Sequence, residues 1–348
     1  MKLGVCFDDV LLTPRYSDIK SRKEIDLTSN VPNIGTHKFS LPIVSSPMDT
    51  VTGTSMAVQM SAQGGLGIIH RYNTMDQQSE AVYSAKNGGC PVVGAAVGVS
   101  GDFLRRARSL AKAGADVICV DIAHGHHVMM KDALRSLRED PYVGSLHIMA
   151  GNVATLEAFN DLSDWGANSV RVGIGGGSIC STRIQTGHGM PTLQSIIECS
   201  RSDRDAALIA DGGIRTSGDI VKSLAAGADL VMLGSLLAGT DESPGEVIEK
   251  PEIINGRQVY TKHKVYRGMA SVEAQIDWRG HTSSEEGVSS TIPYKGPVAD
   301  VLERLEKGIR SGLSYSGCRS LSDFRSKSTL TRQSSNGVVE SSTHVNRL

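Results

Sequence analysis

Glycines precede a cysteine in residues 173–183, and this combination could hold an anion beside a nucleophile. Four glycines between positions 173 and 177 come before Cys180, which is followed by Thr182 and Arg183. Glycine tolerates positive φ and close approach to a ligand, so such a loop can surround a phosphate or an ion with its amides and carbonyls. A thiol beside the loop could attack the bound molecule, and nearby positive charge favours the reactive thiolate. The alternative is a small buried hydrophobic residue, the commoner role of a free cysteine.

Two further glycine motifs follow apolar segments later in the chain. Asp211-Gly212-Gly213 comes directly after one such segment, and Gly234-Ser235 follows the next. In α/β barrels of eight strands, the backbone amides that follow the seventh and eighth strands often bind phosphate. The two motifs follow the last two apolar segments of this kind. Asp211 beside a phosphate suits the two hydroxyls of a ribose, because an ionised carboxylate accepts hydrogen bonds from both. The motifs predict a nucleotide site with Cys180 as the attacking group; glycines needed only for turns are the alternative.

Short apolar segments alternate with amphipathic segments from residue 41 onward. Strands are predicted at 41–44, 67–69, 92–97, 117–121, 147–150, 169–172, 207–210 and 230–233. Helices are predicted between them at 54–63, 75–86, 103–113, 128–137, 156–165, 190–199 and 217–226. The strands are apolar on both faces, as in a parallel sheet covered by helices. Eight such units predict an α/β fold of the (β/α)8 TIM barrel type, with a doubly wound sheet as the alternative.

The segment after the eighth predicted strand, 240–297, is too long for a plain connection. It is rich in Gly, Ser and charged residues and has little apolar periodicity. Such segments are usually functional lids or disordered, and we interpret this one as a flap-like insertion. A helix at 298–311 closes the barrel, so residues 1–325 are expected to form a single catalytic domain. The polar, Ser-rich tail 326–348 is expected to be poorly ordered.

Barrel enzymes carry their active sites at the carboxyl ends of the strands. The polar residues predicted there are Ser45, Ser46, Asp49, His70, Asp121, His124, Asn152, Asp211 and Ser235. Three histidines lie close together at positions 124, 126 and 127, but no carboxylate stands at ligand spacing from them, so no metal is predicted there. His188 is interpreted as a loop residue rather than an acid–base group.

The composition limits the classes of partner. The 348 residues carry a formal net charge of −1 and are 39% hydrophobic, as in a globular protein with no general attraction to nucleic acid or anionic membranes. No apolar run approaches the ~18 residues that span a bilayer, and the first residues lack a signal-peptide core. The six cysteines form no Cys-x-x-Cys pair, which argues against a disulfide framework or a zinc site. We therefore expect a cytoplasmic protein whose cysteines other than Cys180 either pack or are incidental.

Nearly the whole chain, from Phe7-Asp8-Asp9 to the helix around Leu321, resembles one family: inosine-5′-monophosphate (IMP) dehydrogenase and guanosine-5′-monophosphate (GMP) reductase. These enzymes share a (β/α)8 fold. The motifs that carry the resemblance are Ser45-Ser46-Pro47-Met48-Asp49-Thr50-Val51, Gly64-Gly65-Leu66-Gly67, Asp121 with Ala123-His124-Gly125, Ala150-Gly151-Asn152-Val153, the cysteine loop, Asp211-Gly212-Gly213-Ile214, Gly234-Ser235-Leu236-Leu237, Tyr266-Arg267-Gly268-Met269 and Tyr294-Lys295-Gly296.

The resemblance implies a role for each matching residue. Cys180 would form a covalent adduct at purine C2, with Thr182 and Glu286 as the other catalytic residues. The nucleotide would be held by Ser46, Ser178, Asp211, Gly213, Gly234, Ser235, Tyr266, Gly268 and Met269. Asp121, Asn152 and Gly173 would line the nicotinamide side. The carbonyls of Gly175, Gly177 and Cys180 would bind a potassium ion, and the family implies a homotetramer.

Four features favour the reductase. Lys86-Asn87-Gly88-Gly89 runs directly into the third predicted strand, where dehydrogenases usually insert a pair of regulatory CBS modules, so no CBS module is expected. The cysteine loop ends in Thr186-Gly187, as in reductases. Residues 268–286 are too few for the long dehydrogenase flap, and Arg279 is followed by Gly280 rather than by the tyrosine of the Arg-Tyr pair that activates water. Glu286 matches the reductase glutamate that works with the threonine.

Other motifs resemble the dehydrogenases. They are Asp211-Gly212-Gly213-Ile214-Arg215, Gly234-Ser235-Leu236-Leu237-Ala238-Gly239 and Tyr266-Arg267-Gly268-Met269. Ala270 fits neither group. The sequence therefore predicts an NADPH-dependent GMP reductase acting through a Cys180 thioimidate. The alternatives are an IMP dehydrogenase that uses NAD and lacks CBS modules, a diverged member acting on a deoxy- or modified purine nucleotide, and a nucleotide-binding protein without turnover.

Overall fold

Eight parallel strands close into a barrel in a computed structural model that describes residues 3–29, 31–32, 34, 37–254, 256–282 and 285–341. Strand β1 (Val10–Leu12) precedes the barrel. The barrel strands are β2 (Ile43–Ser45), β3 (Leu66–Ile69), β4 (Gly94–Val97), β5 (Val117–Asp121), β6 (His147–Val153), β7 (Ser169–Val172), β8 (Ala207–Asp211) and β9 (Leu230–Leu233). Each pairs with its sequence neighbour, and β9 closes the ring on β2. The predicted TIM barrel is confirmed, and the doubly wound alternative is wrong.

Helices follow the barrel strands and cover the outside of the sheet. They are α1 (Thr54–Ala62), α2 (Met75–Asn87), α3 (Phe103–Ala113), α4 (Val128–Glu139), α5 (Leu156–Asp164), α6 (Thr182–Thr186), α7 (Thr192–Cys199) and α8 (Ser217–Ala225). Threonine side chains at positions 74, 155 and 216 accept backbone N–H groups and fix the starts of α2, α5 and α8. The short helix α6, directly after the cysteine, was not predicted.

Alternate residues of each barrel strand point to opposite sides, which divides the core into two layers. On β5, Ile118 and Val120 pack outward against the helices, whereas Val117 and Cys119 belong to the cluster inside the barrel. The interior is therefore filled by side chains and is not a pore.

The segment expected to have little regular structure is an ordered insertion. It contains a three-stranded antiparallel sheet of β10 (Ile248–Ile254), β11 (Arg257–Arg267) and β12 (Ser289–Pro293), with helix α9 (Val272–Arg279) between the last two strands. Cross-strand pairing supplies the order that the weak periodicity did not reveal. The insertion after the eighth barrel strand is confirmed, but a disordered segment is not what the structure shows.

The chain ends with α10 (Val298–Tyr315), α11 (Leu321–Lys327), β13 (Leu330–Arg332) and α12 (Ser335–Glu340). Strand β13 pairs antiparallel with β1, so the part of the polar tail up to residue 341 is structured, contrary to expectation. This pairing joins the two ends of the chain outside the barrel. Residues 342–348 of the tail lie outside the described residues.

Candidate active site

A cavity of about 260 Å³ opens at the carboxyl ends of the barrel strands. Every residue to which the sequence assigned a catalytic, nucleotide, nicotinamide or potassium role lines it. These are Ser46, Asp121, Asn152, Gly173, Gly175, Gly177, Ser178, Cys180, Thr182, Asp211, Gly213, Gly234, Ser235, Tyr266, Gly268, Met269 and Glu286. The fold therefore brings together residues separated by up to 240 positions, although their convergence does not by itself assign their roles.

A chain of hydrogen bonds joins the three predicted catalytic side chains. The Cys180 thiol donates to Thr182 Oγ1 over 3.2 Å, and the Thr182 hydroxyl donates to Glu286 Oε2 over 2.9 Å. Cys180 is half-buried at the cavity wall. A proton can move along this chain from sulfur to carboxylate in two short steps, so the arrangement suits formation of a thiolate.

The insertion delivers Glu286 to the cysteine loop by backbone pairing. Cys180 and Gly287 form an antiparallel bridge, in which the Ser181 amide donates to the Glu286 carbonyl and the Val288 amide donates to the Ile179 carbonyl. Helix α6 begins at Thr182, directly after this bridge. The position of Glu286 beside Thr182 is therefore fixed by main-chain hydrogen bonds rather than by side chains alone.

The glycines of the cysteine loop allow it to lie against the end of β8. Gly173 has φ of +145°, and a Cβ there would stand 1.9 Å from the Asp211 carbonyl oxygen. Gly213 has φ of +77°, and a Cβ there would meet the Gly176 carbonyl at 2.9 Å. Side chains at these positions would force the two loops apart, which explains the glycines by close approach and positive φ together.

The Tyr266 hydroxyl closes one side of the cavity. It lies 3.3 Å from Ser178 Oγ, and an added Cβ at Gly234 would stand 3.2 Å from both this hydroxyl and Ser46 Oγ. Burial raises the pKa of Tyr266, so the phenol keeps its proton at neutral pH. Hydroxyls from three separate elements therefore lie near the residue that follows β9.

Arg171, which the sequence analysis placed only in a strand, connects two predicted subsites. Its guanidinium bonds Asp121 Oδ1 at 2.5 Å and Asp211 Oδ2 at 2.9 Å, and its side chain is only 8% exposed. Burial alone would lower its pKa, but the two carboxylates outweigh this and raise it. A basic residue in an apolar barrel strand was the signal for this network, because a buried arginine needs carboxylate partners.

Two buried polar atoms at the cavity have no hydrogen-bond partner among the described residues. They are Ser46 Oγ and Asn152 Oδ1. The Asn152 amide nitrogen is already used, because it donates to the Gly173 carbonyl at 2.8 Å and to Asp211 Oδ2 at 2.9 Å. Unpaired buried groups are costly, so these two atoms are suited to receive a ligand. Asn152 Oδ1 could accept the amide of a nicotinamide, and this fits the predicted dinucleotide side.

The predicted potassium carbonyls can be compared with the hydrogen bonds of the loop. The Gly177 carbonyl accepts the Cys180 amide at 3.2 Å. Within the described part of the chain, the carbonyls of Gly175 and Cys180 accept no hydrogen bond. Among the described residues, two of the three predicted carbonyls therefore have no internal partner, as a cation ligand requires, and the third is shared with the Cys180 amide.

The histidines at positions 126, 127 and 188 each contact a different residue. His126 Nε2 lies 2.9 Å from Asp161, His127 Nδ1 accepts the Met129 amide at the start of α4, and His188 contacts Thr186 within its own loop.

Burial raises the pKa of the Cys119 and Cys199 thiols to about 12, in agreement with their packing roles.

Helix α9 is held against the barrel by contacts that the sequence analysis did not find. Tyr72 stacks on Trp278 with ring centroids 4.3 Å apart, and its hydroxyl donates to the Met269 carbonyl at 2.5 Å. Arg267 bonds Asp49 at 2.7 Å and Asp277 at 2.5 Å. No sequence motif joins Tyr72 to Trp278, so only the tertiary structure reveals this pair.

The fold and the site define an α/β barrel of the TIM type with a glycine-rich cysteine loop at its mouth, and comparison with known proteins agrees. The family model described as IMP dehydrogenase / GMP reductase domain matches residues 4–344. A GMP reductase variant from Trypanosoma brucei, solved with guanosine 5′-monophosphate, superimposes with a TM-score of 0.91 at 31% identity, covering 99% of this chain and 98% of that one. The chain therefore belongs to the IMP dehydrogenase / GMP reductase family, whose members are purine nucleotide oxidoreductases that use NAD(P).

Relatives of both kinds are similar to this chain. The IMP dehydrogenase of Nitrosopumilus maritimus is 34% identical, covering 99% of this chain and 98% of its own length. The GMP reductase of Leishmania major is 31% identical, with coverage of 98% and 96%. The two alignments span 480 and 486 positions, more than the 348 residues here, so both relatives contain residues without counterpart in this chain. The shorter length of this chain therefore does not by itself distinguish the two activities. No helix within the described ranges is long and apolar enough to cross a membrane.

Proposed function

We propose that this protein is an NADPH-dependent GMP reductase, which converts GMP to IMP and ammonia. The observation that carries the proposal is the hydrogen-bonded chain from Cys180 through Thr182 to Glu286. Removing an amino group from purine C2 requires a nucleophile at carbon and a proton for the departing nitrogen. The hydrogen-bonded residues Cys180, Thr182 and Glu286 would supply both at one end of the cavity.

The protein's own groups account for the deamination step. Cys180 transfers its proton through Thr182 to Glu286, and the sulfur bonds to C2 of the purine. The C2–N bond then breaks, and the proton stored on Glu286 returns through Thr182 to the nitrogen, so that ammonia leaves. The product is a thioimidate between Cys180 and the base. The thiol proton ends on ammonia, so the step needs no outside acid.

The second step replaces sulfur at C2 by hydrogen. Bound NADPH would supply the hydride for this replacement. Cys180 would leave C2 as a thiolate when the C–S bond breaks, and would take a proton from solvent as IMP is released. Asp121 and Asn152 would hold the nicotinamide side, because Asn152 Oδ1 is buried without a partner and Asp121 is fixed by Arg171. Asp211 would accept the ribose hydroxyls through Oδ1, since Oδ2 is occupied by Arg171 and Asn152.

IMP dehydrogenase activity with NAD is the second candidate. The sequence observations in its favour are the 37% identity to the Cryptosporidium parvum IMP dehydrogenase and the Asp211–Arg215 motif. Against it, the dehydrogenase reaction needs a water-activating group on a long flap. Here Arg279, the candidate arginine, bonds Gln275 and the His281 carbonyl within the end of its own helix. We therefore favour the reductase.

Product identification separates the candidates. The protein is mixed with GMP and NADPH, and separately with IMP and NAD, and the nucleotides are resolved by chromatography and mass spectrometry. The reductase proposal expects IMP from the first mixture and no xanthosine 5′-monophosphate (XMP), the dehydrogenase product, from the second. Cys180→Ala should lower turnover by about a thousand-fold or more while nucleotide binding persists, because it removes only the nucleophile. XMP from the second mixture, or undiminished turnover by Cys180→Ala, would contradict the proposal.

Four further properties belong to this proposal. A potassium ion would bind the carbonyls of Gly175, Gly177 and Cys180, supported by the two free carbonyls in the loop. The family implies a homotetramer, with residues 1–325 as one catalytic domain in each subunit and 326–348 as an appended tail. A cytoplasmic location fits six cysteines that form no disulfide in the structure. Activity with and without potassium, and mass measurement in solution, test the first two.

A further inference from the structure

Lys295 lies behind the turn that follows β9. Its ammonium donates to the Ser235 carbonyl at 2.5 Å and to the Leu236 carbonyl at 3.2 Å. Its own backbone amide donates to the Gly239 carbonyl at 2.9 Å. Ser235 lines the cavity and Lys295 does not. One side chain from the end of the insertion is therefore attached to the outer side of a turn that forms the cavity wall.

The hydrogen bonds of this turn leave particular amides free. The amides of Leu237 and Ala238 both donate to the Gly234 carbonyl, as in the first turn of a helix. Among the described residues, the amides of Ser235 and Leu236 donate to no protein group. The C=O and N–H of one trans peptide point in opposite directions. A Ser235 carbonyl held on Lys295 therefore directs the Leu236 amide away from the lysine, toward the cavity side.

We propose that Lys295 is a positioning residue for the nucleotide phosphate: by holding the Ser235 and Leu236 carbonyls, it fixes the turn so that the free Leu236 amide can donate to the phosphate. The proposal rests on the nucleotide site proposed above and extends it to a residue outside the cavity. Its chemical class of ligand is a phosphate monoester, and the base and ribose are recognised elsewhere.

The positive charge of Lys295 would also favour binding of the phosphate. Burial lowers its pKa to about 8, so the amine is mostly protonated at pH 7 and keeps three N–H donors. Two of those donors are used by the turn. The remaining positive charge, in a half-buried position behind the amides, would favour a dianionic phosphate over a neutral group.

Lys264 offers a matched control. It is more deeply buried than Lys295, and its ammonium also donates to two carbonyls, those of Asp241 and Ser243 at 3.3 and 2.8 Å. Those carbonyls lie beyond the turn of residues 234–238. Replacing either lysine by methionine removes a buried ammonium and two hydrogen bonds, but only Lys295 holds the carbonyls of the phosphate-facing turn.

The experiment measures the Kd of IMP by calorimetry, and that of inosine by competition at millimolar concentration, for wild type, Lys295→Met and Lys264→Met. We expect Lys295→Met to raise the Kd of IMP about ten-fold or more, since hydrogen bonds to a charged group are lost. The inosine Kd should stay within about two-fold, and Lys264→Met should bind IMP within about two-fold of wild type. Lys295→Gln, which retains amide donors without the charge, replaces the methionine variant if that variant does not fold. It should also weaken IMP binding more than inosine binding.

Two results would overturn the proposal. One is IMP binding by both Lys295 variants within about three-fold of wild type. The other is an equal loss for IMP and inosine, which would assign Lys295 a general structural role. Wild-type binding of IMP without GMP turnover would remove the reductase activity but leave this inference standing. A wild type that binds no IMP would remove the nucleotide site and this inference with it.

Discussion

Glu286 gains its proposed role from the two residues it contacts. Its carboxylate accepts the Thr182 hydroxyl, which in turn accepts the Cys180 thiol. Glu285, the preceding residue, is exposed and contributes its backbone carbonyl to Ser181. The structure therefore separates two adjacent glutamates, with Glu286 at the cavity and Glu285 exposed to solvent.

Glu286→Gln should lower the kcat of GMP reduction by about 10²–10⁴, because the amide cannot take the thiol proton and return it to the leaving nitrogen. The Kd of GMP should change by less than about three-fold. Steady-state kinetics and calorimetry provide the two measurements. Glu285→Gln is the control and should retain wild-type kcat; a similar loss in both variants would show that the effect is not specific to the proton path.

Helix α9 connects the insertion to the barrel wall. Its stacking partner Tyr72 also holds the Met269 carbonyl, and Arg71 lies over both aromatic rings at 5.4 and 5.5 Å. Arg71 Nη2 also lies 3.4 Å from the Asp121 carbonyl. Arg71 and Tyr72, which follow β3, and Trp278 on α9 therefore form a continuous set of contacts. These contacts connect Asp121, on the proposed nicotinamide side, with Met269 in the cavity wall.

Tyr72→Phe should raise the KM for GMP about five-fold, since it removes one hydrogen bond to the turn at Met269, worth about 1 kcal/mol, while keeping the aromatic stack. Steady-state kinetics at saturating NADPH measures this. Tyr16→Phe removes a hydroxyl from a residue that is 90% exposed and should leave KM unchanged. An unchanged KM in Tyr72→Phe would mean that the turn is held by other contacts.

The whole barrel depends on buried polar groups at the end opposite the cavity. His147 begins β6 and is fully buried. Its Nδ1 donates to the Pro32 carbonyl at 2.6 Å and its Nε2 accepts the Ser169 hydroxyl at 2.7 Å, so the neutral ring satisfies both partners. Burial lowers its pKa to about 4. This histidine joins the N-terminal segment to two adjacent barrel strands.

The free energy of unfolding should therefore fall with acidification between about pH 6.5 and pH 4. In this window the unfolded chain binds a proton at His147 and the folded chain does not, so protons favour unfolding; the loss amounts to roughly 3 kcal/mol by pH 4. Urea denaturation at several pH values measures it. His147→Gln, which can replace both hydrogen bonds without titrating, should show a pH dependence shallower by this amount, and an identical pH profile would assign the acid sensitivity to other groups.

The sequence alone determined the barrel, because eight apolar strands alternating with amphipathic helices have one common closed solution, and local periodicity records it. It also indicated the cavity residues that follow barrel strands, since the barrel places all strand ends at one mouth, whereas Tyr266, Gly268, Met269 and Glu286 of the insertion were indicated only by the family resemblance. It did not reveal the sheet of the insertion or the β1–β13 pair, which depend on partners distant in the chain. The pairing of Gly287 with Cys180, the ion pairs of Arg171 and the contact of Lys295 with the 234–238 turn were likewise decided only in three dimensions, because each joins residues whose separation carries no local pattern.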